Sequence, residues 1–446
     1  MNVIFFVIVL IAFLVAGFRQ VTVDPGIPAH ESPMAMLSSG MIDAAKSSVT
    51  LAIGLIGVMT LFLGLMKVAE AGGLLTIIAR LLRPLMIRLF PEVPADHPAM
   101  GAMILNFSAN VMGLGNAATP FGIRAMQELD RLNPTPGTAT NSMALFLAIN
   151  TSSITLLPTG VIALRAAAGS TDPAAIMPTT LFATACSTVV AITAAKLYSR
   201  YWPTGPAAAS VGAAGDRSTD ETRTDPTAGG GDATLAEAEA AAAAGQGYPL
   251  SVTILAMLGV ASLIPLTLAY GRAISPWIVP GLMLLLLGFG FVRRVPVYEV
   301  FVEGAKDGFQ VAVRIIPYLV AILVAVGMLR ASGAMEMIIG PLGAITGAFG
   351  LPADVLPMAL LRPLSGSGAF GYLSSVLQDP AIGPDSYAGI LVSTLQGSTE
   401  TTFYVLAVYF GAVQVRRIRH ALAAGLTADI AGVAAAVLIC SLLYAA

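Results

Sequence analysis

Charge is what this chain has least of. Only 11% of its 446 residues are Asp, Glu, Lys or Arg, while 56% are hydrophobic; a soluble domain carries about 25% charged residues. One soluble core cannot hide that much apolar surface. The shortage of charge excludes an ordinary globular protein and predicts an all-α integral membrane protein, because a helix satisfies its own backbone groups in hydrocarbon. A formal net charge of −2 leaves no basic surface for nucleic acid. Histidine is as scarce: His30, His97 and His420 stand beside the apolar runs and not within them. Nucleophilic catalysis therefore lacks a base where a site would lie, and no spacing of His, Cys or acid makes a metal set. Cys186 and Cys440 sit far apart in apolar stretches and read as buried thiols, not as a disulfide. No enzymatic activity is expected.

What the chain does have is a duplication. Ala45-Lys46 returns as Ala305-Lys306, and Ala71 with Gly73 as Ala331 with Gly333. Pro84-Leu85 followed by Pro94-Ala95-Asp96 returns as Pro341-Leu342 followed by Pro352-Ala353-Asp354. Phe121-Gly122 matches Phe370-Gly371. Finally, residues 150–155 match 396–401. Matches kept in one order predict two homologous helical repeats, 1–203 and 248–446. Residues 204–247, rich in Gly, Ala, Pro, Thr and acid, predict a disordered linker between them. The apolar run over 2–18 has no positive n-region and reads as a retained anchor.

Several apolar spans are too short, or too interrupted, to cross a bilayer. Re-entrant or broken helices are expected at 99–125, 142–158, 357–375 and 390–404, since exposed backbone survives in a membrane only where protein or a wet cavity satisfies it. Spans at 250–270 and 277–292 are expected to be separate. The charged residues of 299–314 suggest an amphipathic helix lying in the interface. Loop lysines and arginines conflict over orientation. The matching interruptions favour an inverted repeat, as in many secondary transporters. Glu70 and Arg330 hold equivalent positions, which fits either an inter-repeat ion pair or interfacial snorkelling.

The interruptions carry the candidate site. One reads Gln396, Gly397, Ser398, Thr399, Glu400, Thr401. Its amide, hydroxyls and single carboxylate suit a polar solute and a cation, and a carboxylate at such depth costs at least about 2.5 kcal/mol. Its counterpart is Asn150, Thr151, Ser152, Ser153, Ile154, Thr155, where the acid is missing. A second pair offers Asn110, Asn116 and Thr119 against Arg362, Ser365 and Ser367 among clustered glycines. Arg362 would pair with Glu400 or meet an anionic group on a solute. The bland alternative is that these hydroxyls and small residues are helix-packing glue.

At these residues the chain resembles a known family. Residues 115–122 and 150–158 resemble spore maturation protein A; residues 362–368 and 396–404 resemble spore maturation protein B. The resemblance covers nearly everything but the linker, as in a fusion of the two. Both are members of the nucleoside-recognition, or Gate, group, which includes the membrane part of ferrous iron transporters and is remotely similar to concentrative nucleoside transporters. In the latter a Gln-Thr-Glu hairpin tip binds the nucleoside, and Gln396, Thr399 and Glu400 resemble that tip with Gly397 and Ser398 intervening. The resemblance implies transport of a small polar, nucleoside-like solute, and the family name implies a role in spore core dehydration.

The expectation is a multi-pass secondary transporter of the bacterial plasma membrane. Its partners would be the lipid bilayer and a small polar solute, with homo-oligomerisation left open. No cofactor is expected beyond a coupling cation, sodium or a proton, for which Glu400 is the candidate. The rival readings are a non-transporting scaffold for envelope or spore-cortex assembly, and a divalent-cation permease.

Overall fold

The structure, a computed structural model, describes residues 2–22, 28–113, 115–152, 154–202 and 247–444. Almost all of the expected linker, 204–246, lies outside the described residues, as does Ser153. The described residues are helical, with no strand element among them.

Among the described residues, each half contributes eight α-helices in the same order. The first half has α1 (Asn2–Thr22), α2 (Pro33–Ala71), α3 (Leu74–Leu89), α4 (Pro98–Val111), α5 (Gly115–Arg131), α6 (Asn141–Ser152), α7 (Thr159–Ala167) and α8 (Met177–Tyr198). The second has α9 (Leu250–Val292), α10 (Val297–Ala331), α11 (Ala334–Gly347), α12 (Leu356–Leu364), α13 (Gly366–Leu377), α14 (Tyr387–Ser398), α15 (Thr402–Ala412) and α16 (Ala421–Tyr444). The duplicated residues fall at equivalent places. Ala71 and Ala331 end α2 and α10, and Gly73 and Gly333 precede α3 and α11 with φ of 86° and 75°. Only glycine takes that left-handed turn without strain.

Among the described residues, four helical segments are long and apolar enough to cross a membrane: Phe5–Thr22, Pro33–Ala71, Pro173–Tyr198 and Ala421–Tyr444. The protein is an all-α membrane protein. The helices around the expected interruptions are short: α4 has 14 residues, α6 and α14 have 12, α7 and α12 have 9. At about 1.5 Å per residue none covers a 30 Å hydrocarbon core alone. Local chemistry sets several of the boundaries. Pro98 opens α4 behind His97, whose ring nitrogen accepts from Ala99 N–H. Ser365 leaves helical geometry and caps α13 by accepting from Gly368 N–H, and Ser386 caps α14 through Gly389 N–H. Such caps satisfy amides that the helix start leaves open.

Equivalent helices pack against each other antiparallel. Along α2 and α10, Gly40 meets Gly327 and Ala331, whereas Gly64 meets Phe301 and Gly308 meets Thr60. Along α8 and α16, Ser187 Oγ donates to Ala428 O at 2.8 Å, and the Tyr444 hydroxyl donates to Ala175 O at 3.1 Å. The ends are tied reciprocally. Arg19 donates to Ser332 O at the end of α10, and Arg293 donates to Gly72 O at the end of α2, both at 2.9 Å.

The core is exchanged between halves. Val405, Tyr409 and Phe410 of α15 pack with α4, α5 and α6 of the first half; Phe146 stacks on Tyr409 with ring centroids 5.8 Å apart. In return, Val161, Ile162 and Leu164 of α7 pack with α13 and α14 of the second half. Each half sends the helix that follows its second break into the other.

Three sequence expectations change. The spans 250–270 and 277–292 are one helix, α9, because continuing the helix across the polar stretch leaves fewer backbone groups open than a break would, even though Pro276 cannot donate. Residues 299–314 are not a separate interfacial helix but the first part of α10, whose glycines let it press on α2. Glu70 and Arg330 do not pair with each other. Glu70 lies 3.5 Å from Lys67, and Arg330 pairs with Asp379.

Candidate functional site

A break lies in each of the four segments that the sequence marks: after Val111, Ser152, Leu364 and Ser398. Breaking a helix frees carbonyls that must find donors. Here one donor comes from the other half and the rest from the same half. Thr151 O accepts from Glu400 N–H at 2.7 Å. Ser152 O accepts from the hydroxyls of Thr184 and Thr188 on α8, at 2.8 and 3.3 Å. Val111 O accepts from Leu156 N–H at 3.0 Å, which ties the first break of that half to its second.

In the second half, Arg362 performs the corresponding task. It is 6% exposed. One of its terminal nitrogens donates to Thr401 Oγ1 at 3.0 Å; the other donates to Thr399 O and lies 3.7 Å from Glu400 Oε2. Asn110 stands where Arg362 stands, shortly before the break, and its amide donates to Asn150 Oδ1 at 3.0 Å. A neutral pair in one half therefore replaces a charged clasp in the other.

Together the breaks enclose a cavity of about 420 Å³. Its polar lining is Asn110, Thr155, Thr159, Arg362, Ser367, Gln396, Thr399 and Glu400, and its apolar lining includes Leu157, Val161, Leu319 and Phe370. The Glu400 side chain is 45% exposed, although its backbone is fixed. Gln396 Oε1 has no hydrogen-bond partner among the described residues. The cavity thus presents acceptors, whereas the terminal nitrogens of Arg362 are directed into the tip.

Not every expected site residue faces the cavity. Asn150 stands behind Asn110 and donates to Phe146 O at 2.9 Å. Thr151, Ser152 and Ser398 donate to carbonyls of their own helices. Ser365 is a helix cap and Thr401 an acceptor for Arg362. Thr119 lies on α5, away from the lining. The Asn116 side chain and Ser153 lie outside the described residues.

Two charged groups escaped the sequence reading. Asp429, 5% exposed in α16, accepts from Thr402 Oγ1 at 2.6 Å. Its signal was plain, since it is the one charged residue in 421–444. Arg165 in α7 is fully buried and donates to Pro384 O, Ser170 Oγ and Asp385 Oδ1 at 2.6, 3.0 and 3.1 Å. It fastens α7 of one half to the loop before α14 of the other. Nothing local distinguishes it from an interfacial arginine, because its partner is 220 residues away.

Fold and site together define a helical membrane protein in which broken helices from two halves surround a polar cavity. The family model described as nucleoside recognition, or Gate, matches residues 52–200 and 312–416. The chain belongs to this family. It is 46% identical over 172 residues to spore maturation protein B of Bacillus subtilis (strain 168), a match spanning 39% of this chain and 93% of that protein. It is 47% identical over 156 residues to spore maturation protein A of the same organism, spanning 35% of this chain and 80% of that protein. No solved structure matches. Every cavity-lining residue falls inside the matched segments, and Asp429 falls outside them.

Proposed function

We propose that this protein is a secondary transporter that carries a small polar, nucleoside-like solute across the bacterial plasma membrane. The observation that carries the reading is the cavity: breaks from both halves converge on one polar space, and the Glu400 N–H to Thr151 O bond joins the two halves there. Its volume suits a small molecule, for which pockets of about 300–1,000 Å³ are typical. Antiparallel packing of α2 on α10 and of α8 on α16 supports an inverted repeat, and such repeats place their solute where broken helices meet. Gln396, Thr399 and Glu400 would hold the solute, with Phe370 and Leu319 as its apolar bed. Alternating access would move the short hairpin helices against the α2–α10 frame.

A scaffold that only assembles envelope machinery needs its breaks packed shut, and an open cavity argues against it. The test is a thermal-shift screen of the purified protein against nucleosides, amino acids, dicarboxylates and metals, followed by proteoliposome uptake of whichever solute stabilises it. Glu400→Gln should abolish most of that uptake while the protein still inserts and unfolds normally. No stabilising solute and no uptake would leave the scaffold reading standing.

A further inference from the structure

Behind the solute cavity the charges do not balance. Arg362 is one cation, and Glu400 lies 3.7 Å from it on the cavity side. Asp429 stands on α16, which packs on α12; it lines a groove with the adjacent Pro363 and acts on the guanidinium electrostatically. Two carboxylates and one guanidinium leave a net charge of −1 inside a membrane protein, and an unpaired buried charge is costly. Asp429 is the group least able to keep that charge. It is 5% exposed, and one flank borders an apolar groove of about 960 Å³ lined by Leu360, Pro363, Phe403, Leu426 and Ile430. Its Oδ2 has one partner, the Thr402 hydroxyl, and its Oδ1 has none among the described residues. Arg362 Nε–H is likewise without a partner among them. A buried donor and a buried acceptor of opposite charge are thus both unsatisfied, while Arg362 is engaged with the tip.

We propose that Asp429 is a proton-binding site, coupled to the cavity because Arg362 divides itself between Asp429 and the Glu400 tip. This deepens the transport reading and rests on it for its meaning. With a proton on Asp429 the cluster is neutral, Arg362 clasps Thr399, Thr401 and Glu400, and the structure described here is the stable one. When the proton leaves, the Asp429 carboxylate draws Arg362 toward α16 and frees the tip. One proton is taken up or released at the carboxyl oxygen, and no other bond changes. Thr402 connects the two states, because it follows Thr401 in the tip and its hydroxyl holds Asp429.

The other helices on α16 offer no competing charge there. Helix α6 has no ionisable residue. Helix α8 carries Cys186, Lys196 and Tyr198. The Tyr198 hydroxyl is held by Thr427, and Lys196 lies at a separate cavity near Glu92. In α14 the one ionisable residue is Tyr387, bonded to Ser441; in α15, Tyr409 is bonded to Asn106 and Tyr404 is exposed.

The experiment is infrared difference spectroscopy of the full-length protein in lipid, titrated with protons alone. A protonated-carboxyl stretch that changes with pH should appear, vanish in Asp429→Asn and remain in Glu400→Gln. Thr402→Val, which touches no charge, should keep the band and move its frequency, because the hydrogen bond from the hydroxyl is gone. A band lost in Glu400→Gln but kept in Asp429→Asn would overturn the proposal. So would a band whose frequency ignores Thr402→Val. In a second arm, proteoliposomes are tested with uridine as the probe. Asp429→Asn should lower pH-driven accumulation about tenfold more than it lowers uridine exchange. Equal loss of both overturns coupling. Absence of any uridine movement in the parent protein counts against the nucleoside reading alone, and the infrared bands still decide Asp429.

Discussion

The backbone N–H of Glu400 donates to the carbonyl oxygen of Thr151 at 2.7 Å, joining the broken helices of the two halves. These residues hold the second and fifth positions of the six-residue duplicated motif, 150–155 against 396–401. The contact therefore joins the second break of the first half to that of the second half. The second-half break thus closes one carbonyl of the first-half break, while Ser152 O and Thr399 O are closed within their own halves by Thr184, Thr188 and Arg362.

Arg362 should be the most sensitive side chain of the tip. Arg362→Met removes the donor to Thr399 and Thr401 and the partner of the half-exposed Glu400, at a cost of about 1–3 kcal/mol, chiefly for the buried carbonyl left unsatisfied. Arg362→Lys should recover only part of this, because an ammonium lacks the planar fork that reaches two acceptors. Denaturant unfolding in detergent measures both.

The asparagine pair makes a sharper test. Asn150→Leu leaves the half-buried Asn110 amide without its acceptor and should cost about 1 kcal/mol. Asn110→Leu combined with Asn150→Leu should recover much of the loss, since removing both partners of a hydrogen bond is far cheaper than removing one. A thermal double-mutant cycle reads the coupling.

Glycine at the first break is required by geometry. Gly113 has φ of 76°, and a Cβ there would stand 2.5 Å from the Leu157 carbonyl oxygen. Gly113→Ala should lower stability by about 1–3 kcal/mol. Gly57 in α2 is the control: nothing lies within 4 Å of its Cβ position, so Gly57→Ala should gain about 0.5–1 kcal/mol through the unfolded chain. Unfolding midpoints of the two variants should move in opposite directions.

Acid should loosen the fastening between α7 and the loop before α14. Burial pushes the Asp385 carboxyl up, but hydrogen bonds from Ser170 and Thr171, with the charge of Arg165, outweigh it and hold the group below the ordinary aspartate range. A lowered value means that the folded protein favours the ionised form. Its contribution is complete above the ordinary value near about 4 and is lost as pH falls through the lowered one. Asp385→Asn should flatten the acid limb of a plot of unfolding temperature against pH and leave the shape above it unchanged.

Much of the architecture was legible in residue order. Low charge and helix-length apolar runs gave the membrane class, because a solvent without hydrogen bonds admits few backbone solutions. The positions of the breaks were legible too. Gly113, Pro158 and Ser365 act on their own backbone or their immediate neighbours, so their effect needs no tertiary context; Gly397 instead stays inside α14 and is small because it packs on Thr180 and Pro158. The long α9, by contrast, was misread as two spans, since a polar stretch does not reveal whether its helix goes on.

Which groups meet was decided by the tertiary structure alone. The exchange of α7 and α15 between cores, the pairing of Arg165 with Asp385, and the electrostatic action of Asp429 on Arg362 join residues far apart in the chain. Side-chain periodicity carries no record of such partners. Sequence set where each helix must break, because that is a property of the local backbone. The fold set what each break became, because freed carbonyls and buried charges in a membrane take their partners from whichever helix the packing brings to them.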